Sequence, residues 1–445
     1  MAEKKQDKTD AGSSRRDFLK KSSLLVAAGG TVVGGSLSIA RAAHSFGSDT
    51  IKIGLVGCGG RGTGAATQAL NTMKKTDIQP NGQVKLIAMA DAFADRLQGS
   101  YRSIYGAYPE HVDVPKERRF VGFDAYKQVL ECDIDLVILA TSPGFRPLHI
   151  EAAAKAGKHI FAEKPTGTDA AGIRRVLAAN EIIKSKNLAI AIGLQRHHEK
   201  RYIETVNRIW DGAIGDIVTT RVYWNGGGVW VRPRNDQQSE LEYQMRNWYY
   251  FNWLCGDHIN EQHIHSLDKI GWVMGDVYPD RVTASGGRIS RVDEKYGNIY
   301  DHFNSVYEWD NGVKAFSSCR QLNQTSTDVS DHIFGTEGTA HMQRHQIDYR
   351  NGKKWAHEQA GTDNMYQNEH DAFFKAIRSG NTINNGEYMC NSTLMAIMAR
   401  MSAYTGKTVA RDQALNSDLK LTPEKYEWGD HQASPIPRPG ITEFV

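Results

Sequence analysis

The sequence predicts a doubly wound parallel α/β domain followed by a second, strand-rich α+β domain, and three observations carry that prediction. A short β-branched run, Ile51-Lys52-Ile53-Gly54-Leu55-Val56, feeds directly into Gly57-Cys58-Gly59-Gly60-Arg61-Gly62 and then an alanine-rich stretch. Apolar runs of strand length alternate with helical stretches as far as residue 192. Further on, Asp310-Asn311-Gly312 separates His302–Trp309 from Val313–Phe316, a strong hairpin signal.

Size and charge bound the rest. At roughly 100–200 residues per domain, 445 residues allow two or three domains. Lys and Arg number 54 against 51 Asp and Glu, a formal charge of +3. Residues 1–42 hold eight of the basic and four of the acidic groups, leaving 46 against 47 for the remainder. The body of the protein is therefore near neutral, which excludes a surface built for non-specific nucleic-acid binding. Cys58, Cys132, Cys255, Cys319 and Cys390 form no close metal-type pair, and their odd number argues against a disulfide framework.

Residues 1–43 read as an address. Ser14-Arg15-Arg16-Asp17-Phe18-Leu19-Lys20 is followed by an uncharged stretch from Ser22 to Ala40, which closes on Ala40-Arg41-Ala42-Ala43. This resembles a twin-arginine export signal with a small-residue cleavage site, recognised by the twin-arginine translocase. The alternative is a membrane anchor. Gly29, Gly30, Gly34 and Gly35 make a poor spanning helix, so removal and an exported, periplasmic location are expected, with no stable membrane insertion.

The first domain is expected over residues 50–192. Gly57 permits a tight turn, Gly59 and Gly60 bring backbone N–H groups close to a pyrophosphate, and Gly62 lets the helix pack close to the strand. Arg61 stands within the same loop, and the phosphates are expected at the helix N-terminus. The second strand, Val84-Lys85-Leu86-Ile87-Ala88-Met89-Ala90, ends in Asp91, placed to hold the adenosine ribose hydroxyls. The spacing exceeds the usual one, and the polar insert 74–82 accounts for it as a longer loop. A carboxylate there repels a 2′-phosphate, so NAD is expected over NADP, although Arg96 lies close by. Asp135–Ala140 makes another strand ending in Thr141-Ser142-Pro143. A helix from about Leu148 to Ala156 then leads to His159–Ala162 and Glu163-Lys164-Pro165. Gly57, Asp91, Thr141 and Lys164 all fall at strand carboxyl ends, where ligands of such sheets bind.

The glycine fingerprint, Asp91, His149 ahead of Ala156-Gly157-Lys158, and Glu163-Lys164-Pro165 together resemble the glucose–fructose oxidoreductase/inositol dehydrogenase (Gfo/Idh/MocA) family. The resemblance extends through Gly193-Leu194-Gln195-Arg196, the 211–217 turn, the 334–340 hairpin and the 373–380 helix. It implies a Rossmann domain, then an α+β domain over 193–445 with a large open, mostly antiparallel sheet. Runs near 217–224, 281–289 and 329–334 supply strands for it. An open sheet leaves a face to cover, so a homo-oligomer (dimer or tetramer) is expected. Pro435–Gly440 suggests an extended C-terminal arm over a neighbour.

By the same resemblance Lys164 is the catalytic lysine beside the nicotinamide. Thr141, His149, Glu163 and Gln195 join the loop residues as cofactor contacts. A family Asp-x-x-x-His pair becomes Glu261-x-x-x-His265 here. Four-residue spacing puts both on one helical face, where Glu261 would orient His265 as the general acid/base, with a pKa near neutral. His258 shares that face. His258, Glu261 and His265 would be possible metal ligands, but the family chemistry needs no metal and none is expected. Arg196, His197, Trp248, Tyr249 and His258 are the candidate substrate contacts. The run 247–253 is otherwise expected as aromatic core. The expected reaction is hydride transfer at a hydroxyl of a carbohydrate substrate. Because an exported enzyme has no NAD pool to draw on, the cofactor is expected to stay bound and to be recycled internally. An NAD-dependent glycosidase (transient oxidation, elimination, hydration, re-reduction) is the main alternative. A non-catalytic sugar or dinucleotide sensor stands behind it.

Overall fold

Strand β1 (Ile51–Val56) lies at the centre of a six-stranded sheet, with all but one of its side chains buried. The computed structural model describes residues 50–74, 82–358 and 361–443. The twin-arginine segment and most of the 74–82 insert lie outside the described residues. After β1 come α1 (Gly60–Asn71), β2 (Val84–Asp91), α2 (Ala94–Ala107), β3 (Arg119–Val121), α3 (Ala125–Glu131) and β4 (Leu136–Leu139). Then follow α4 (Arg146–Lys155), β5 (His159–Ala162), α5 (Ala170–Ser185) and β6 (Ile190–Ile192). The spatial order is β3-β2-β1-β4-β5-β6, and every pairing is parallel. The chain runs outward from β1 through β2 to β3, then returns to the other side of β1 as β4. That reversal opens a crevice beyond the carboxyl ends of β1 and β4.

The second region begins with α6 (Lys200–Trp210) and β7 (Ile217–Gly226). Four helices follow: α7 (Glu240–Arg246), α8 (Asn252–Cys255), α9 (His258–Glu261) and α10 (Ile264–Val273). The strands β8 (Arg281–Gly287), β9 (His302–Glu308), β10 (Lys314–Gln321), β11 (Asp328–Gly335), β12 (Gly338–His341), β13 (Gln346–Tyr349) and β14 (Lys354–Ala356) come next. The described chain ends with α11 (Met365–Ser379), α12 (Gly386–Thr405), β15 (Val409–Ala410), α13 (Arg411–Leu415) and an extended arm. Nine strands form one sheet in the order β14-β13-β12-β11-β7-β10-β9-β8-β15. Only β7 and β10 pair in parallel. The turn 310–312 joins β9 to β10 as expected, with Gly312 at φ +87°. The expected 334–340 hairpin pairs Phe334 with Thr339.

Helix α12 explains why the two sheets form one body. Its polar residues are spread around a Met- and Ala-rich helix rather than gathered on one face, and nearly all of it is buried. It packs on α5 of the first sheet's layer and on β8 and α10 of the second. Helix α11 returns to pack on α1, and Ile190 of β6 bridges to Asn384. Residues 365–405 therefore belong to both layers, so the chain does not divide cleanly at residue 193. The arm also departs from expectation. It lies along its own chain, with Tyr300 Oη donating to the Pro437 carbonyl (2.9 Å) and Gly440 N–H to that of Thr405 (2.9 Å).

Gly57 sits at φ +96°, and a Cβ there would lie 2.6 Å from the Ala140–Thr141 backbone. Gly57→Ala is expected to lower stability by about 2–3 kcal/mol, read as a shift in the urea midpoint at unchanged slope.

Candidate active site

The crevice forms a groove of about 420 Å³. Its floor carries Gly57, Gly59, Gly60, Arg61, Asp91, Thr141 and His149, and its roof Trp230, Arg232, Met245, Arg246 and Trp248. The glycines differ in their reasons. A Cβ on Gly62 would meet the Gly57 carbonyl oxygen at 1.9 Å, which is the close helix–strand approach. Around Gly59 and Gly60 there is only open space. Gly59 caps α1 without a side-chain hydrogen bond, so the first N–H groups of that helix face the groove as donors for a pyrophosphate.

Asp91 accepts the Cys58 N–H at 2.6 Å and the Phe93 N–H at 2.9 Å. The carboxylate thus braces the glycine loop and keeps acceptor capacity for two ribose hydroxyls. Burial raises its pKa against the opposing pull of its hydrogen bonds and Arg96. His149 hydrogen-bonds Thr141 through Nδ1 (3.2 Å) and packs at a tilt against the Tyr126 ring. Burial, with Arg146 and Arg175 nearby, lowers its pKa to about 3, so it is neutral. Glu163 pairs with Arg61 at 2.8 Å, and Gln195 donates to the Tyr366 hydroxyl at 3.2 Å. These residues reach the cofactor site mainly by shaping the glycine loop. The open space beside Gly59, the helix N–H groups and the strand-end carboxylate fit a dinucleotide such as NAD.

The catalytic candidates cluster elsewhere along the crevice, beyond the groove lining. The Lys164–Pro165 peptide is cis. Lys164 Nζ donates to the Glu261 carbonyl oxygen (2.6 Å) and to Glu261 Oε1 (2.8 Å). The expected single helix carrying Glu261 and His265 is broken: α9 ends at Glu261 and α10 begins at Ile264. The Glu261 carboxylate therefore serves Lys164 and makes no hydrogen bond to His265, a correction to the spacing argument. His265 is buried, and its Nδ1 makes no hydrogen bond. Burial, then the charges of Arg196, Lys164 and Lys269, hold its pKa well below the usual 6.5. It is a neutral imidazole rather than one poised at neutrality.

The substrate candidates separate. Arg196 stays at the site, its guanidinium 5.5 Å from the Trp224 ring, with Nη1 unbonded. That same ring stacks on His265 at 5.9 Å. Trp248 turns to the dinucleotide groove beside Trp230. Tyr249 is buried and accepts from Gln321 Nε2 at 2.8 Å, with Glu261 among the groups raising its pKa. His197 is diverted: its Nε2 hydrogen-bonds Asp268 at 2.8 Å and its ring stacks on Trp272. His258 is diverted too, with Nδ1 on Asp257 (2.9 Å) and its ring against Phe303. Both are held by packing and buried acids, though His258 Nε2 has no hydrogen-bond partner. Among the described residues, no three His, Cys, Asp or Glu side chains are arranged to hold a metal.

Three residues were not legible beforehand. Trp224 lies mid-strand in β7, where only the sheet's geometry turns it to His265. Lys269, one turn after His265, is buried in an ion pair with Asp331. Arg146, fully buried, donates to the Thr141 and Pro165 carbonyls and so ties the ends of β4 and β5 together. A cation at the first position of α4, ahead of Pro147, was the one available signal.

Fold and site together define an oxidoreductase with a dinucleotide-binding first domain. The description of an oxidoreductase family with an NAD-binding Rossmann fold, GFO/IDH/MocA, matches residues 51–190, and that family's C-terminal domain matches residues 202–341. The chain belongs to this family, and its cofactor is NAD. Inositol 2-dehydrogenase of Rhizobium meliloti (strain 1021) is 24% identical over 342 residues, covering 74% of this chain and 90% of that protein. Two solved structures share the fold. Levoglucosan dehydrogenase with NADH and levoglucosan superposes with a TM-score of 0.64 at 18% identity, covering 81% of this chain and 99% of its own. The aldose–aldose oxidoreductase of Caulobacter crescentus, complexed with glycerol, gives 0.61 at 18% identity and the same coverage.

Because a side chain at Gly59 meets no protein atom, Gly59→Val is expected to leave the thermal midpoint nearly unchanged. The same change should weaken NAD binding at least about tenfold by filling the phosphate space, as titration calorimetry would show.

Proposed function

We propose that this protein is an exported NAD-dependent oxidoreductase acting on a carbinol of a sugar or polyol, with its cofactor retained and recycled between half-reactions. The observation that carries the reading is the Lys164–Glu261 contact beside a neutral His265. An ammonium has three N–H donors, and Glu261 takes two of them. The third remains for a substrate oxygen, held in one direction. NAD, when bound, supplies a nicotinamide that accepts or returns a hydride. His265 takes the hydroxyl proton at Nε2, since Nδ1 is buried. Lys164 stabilises the alkoxide that develops as the proton leaves. The low pKa of His265 keeps it unprotonated and ready as the acceptor, and Arg196 gives its free N–H to a neighbouring hydroxyl.

The names of the relatives support the substrate class, because inositol, levoglucosan and aldoses are all polyhydroxylated. The Arg15-Arg16 leader supports export, and with it a retained cofactor. An outer face of the nine-stranded sheet on which Phe316 stands exposed supports a homo-oligomer.

The test is purification of the mature protein, assay of released NAD(H), and separate supply of free sugars and aryl glycosides. Sugar-dependent reduction of bound NAD is expected. Phenol release without net NADH would establish the glycosidase reading in its place, and absence of both dinucleotide and turnover would leave a sensor. Lys164→Ala is expected to reduce kcat about 10²–10⁴-fold, and full activity in that variant would refute the site. The pH profile follows from His265. With its pKa held below 6.5, the neutral form persists as pH falls, so kcat/KM for oxidation should stay level down through pH 6.5 and drop only below it.

A further inference from the structure

Two aromatic side chains of the dinucleotide groove are held in place from outside the first sheet. Phe93 and Phe123 both line the groove at the Asp91 end. Phe93 also gives its N–H to the Asp91 carboxylate. The Trp428 ring lies 5.5 Å from that of Phe93 and 4.5 Å from that of Phe123. Tyr426 lies 6.1 Å from Phe123 and 4.8 Å from Phe145, a third lining residue. Trp428 and Tyr426 belong to the extended arm, well past residue 341 where the match to the family's C-terminal domain stops. From the roof, the Arg246 guanidinium lies 4.1 Å over Phe93 and pairs with Asp95 at 3.1 Å, across the groove.

The arm is pinned on both sides of these rings. Leu421 N–H donates to Asp169 Oδ2 (2.8 Å), Leu241 N–H to the Gly429 carbonyl (3.1 Å), and Gln244 Nε2 to the His431 carbonyl (2.7 Å). Trp428 itself stays 46% exposed, too much for a core residue, yet it touches two groove-lining rings. An indole so placed adds little burial; what it fixes is the position of Phe93 and Phe123.

We propose that the arm 419–431 is a working part of the dinucleotide site. Trp428 and Tyr426 hold Phe93 and Phe123 against the adenosine half of NAD, and the Arg246–Asp95 bridge closes the groove above it. The bound dinucleotide cannot leave until arm and bridge give way together, which makes it a resident rather than an exchanging cosubstrate. This rests on the reading above that the enzyme retains its cofactor. Trp428 is a positioning residue, acting through the two phenylalanines.

The experiment uses the full mature chain loaded with NADH. Release is followed by the fall in NADH fluorescence on mixing with excess NAD, for the wild type, Trp428→Ala and Trp428→Phe. Release from Trp428→Ala should be at least about fivefold faster, with Trp428→Phe close to the wild type because the ring contact survives. Without added NAD, Trp428→Ala should lose turnover on dilution and regain it when NAD is supplied, whereas the wild type should need no added NAD. Amide hydrogen exchange across 419–431 should slow when NADH binds. Equal release rates for the wild type and Trp428→Ala would overturn the proposal, and so would equal acceleration in both variants tracking a lowered thermal midpoint. If Trp428→Ala does not fold, wild-type exchange over 419–431 that is indifferent to NADH overturns it. Sugar oxidation by the wild type is scored separately. Arm-dependent release without sugar turnover would count against the substrate reading alone, and turnover with arm-independent release against the arm alone.

Discussion

Everything at the reacting end of the crevice depends on the Lys164 ammonium being held by Glu261. Lys164 stands at the carboxyl end of β5 in the first sheet's layer, and Glu261 ends α9 in the second. Both side chains are nearly buried, at 12% and 13% exposed, so the attraction is only weakly screened by water. The Glu261 backbone carbonyl adds a second acceptor, which fixes direction as well as charge. Removing either partner would leave a desolvated charge uncompensated, the costly outcome for a buried pair. The pair thus joins the two layers at the point proposed for hydride transfer.

Around that pair the structure sorts polar groups by what they already hold. Acids that look like candidates on paper are occupied: Asp257 takes His258, Tyr300 N–H and the Tyr404 hydroxyl, and Asp268 takes His197 and Ser392. Lys164, His265 and Arg196 keep spare capacity, as do His258 at Nε2 and His263 at Nδ1. Three cations near one imidazole, with burial, keep it neutral. The same electrostatics hold His265 in its base form at rest but weaken it as a base, so release of an alcohol proton would lean on an ammonium that stabilises the alkoxide.

The dinucleotide half was largely legible in the sequence. Gly57 answers to its left-handed backbone and Gly62 to the Gly57 carbonyl five residues earlier, while Gly59 and Gly60 leave open space. Asp91 follows from the end of a strand whose apolar run is easily seen, and the hairpin at 310–312 follows from its turn residues alone. The Glu261–His265 spacing misled because four-residue periodicity assumes an unbroken helix. Here the chain turns between α9 and α10, and Glu261 is released toward Lys164, 97 positions earlier in the chain. His197 and His258 misled for a related reason, since nothing local marks the acids that capture them.

What the sequence by itself determined is whatever short-range chemistry dictates: the alternating strands and helices, the phosphate loop and the strand-end carboxylate. What only the tertiary structure decided is pairing. Trp224 beneath His265, Lys269 against Asp331, and the arm's Trp428 against Phe93 each join residues far apart in the chain. Such contacts are set by how whole layers pack, and no periodicity along the sequence encodes them.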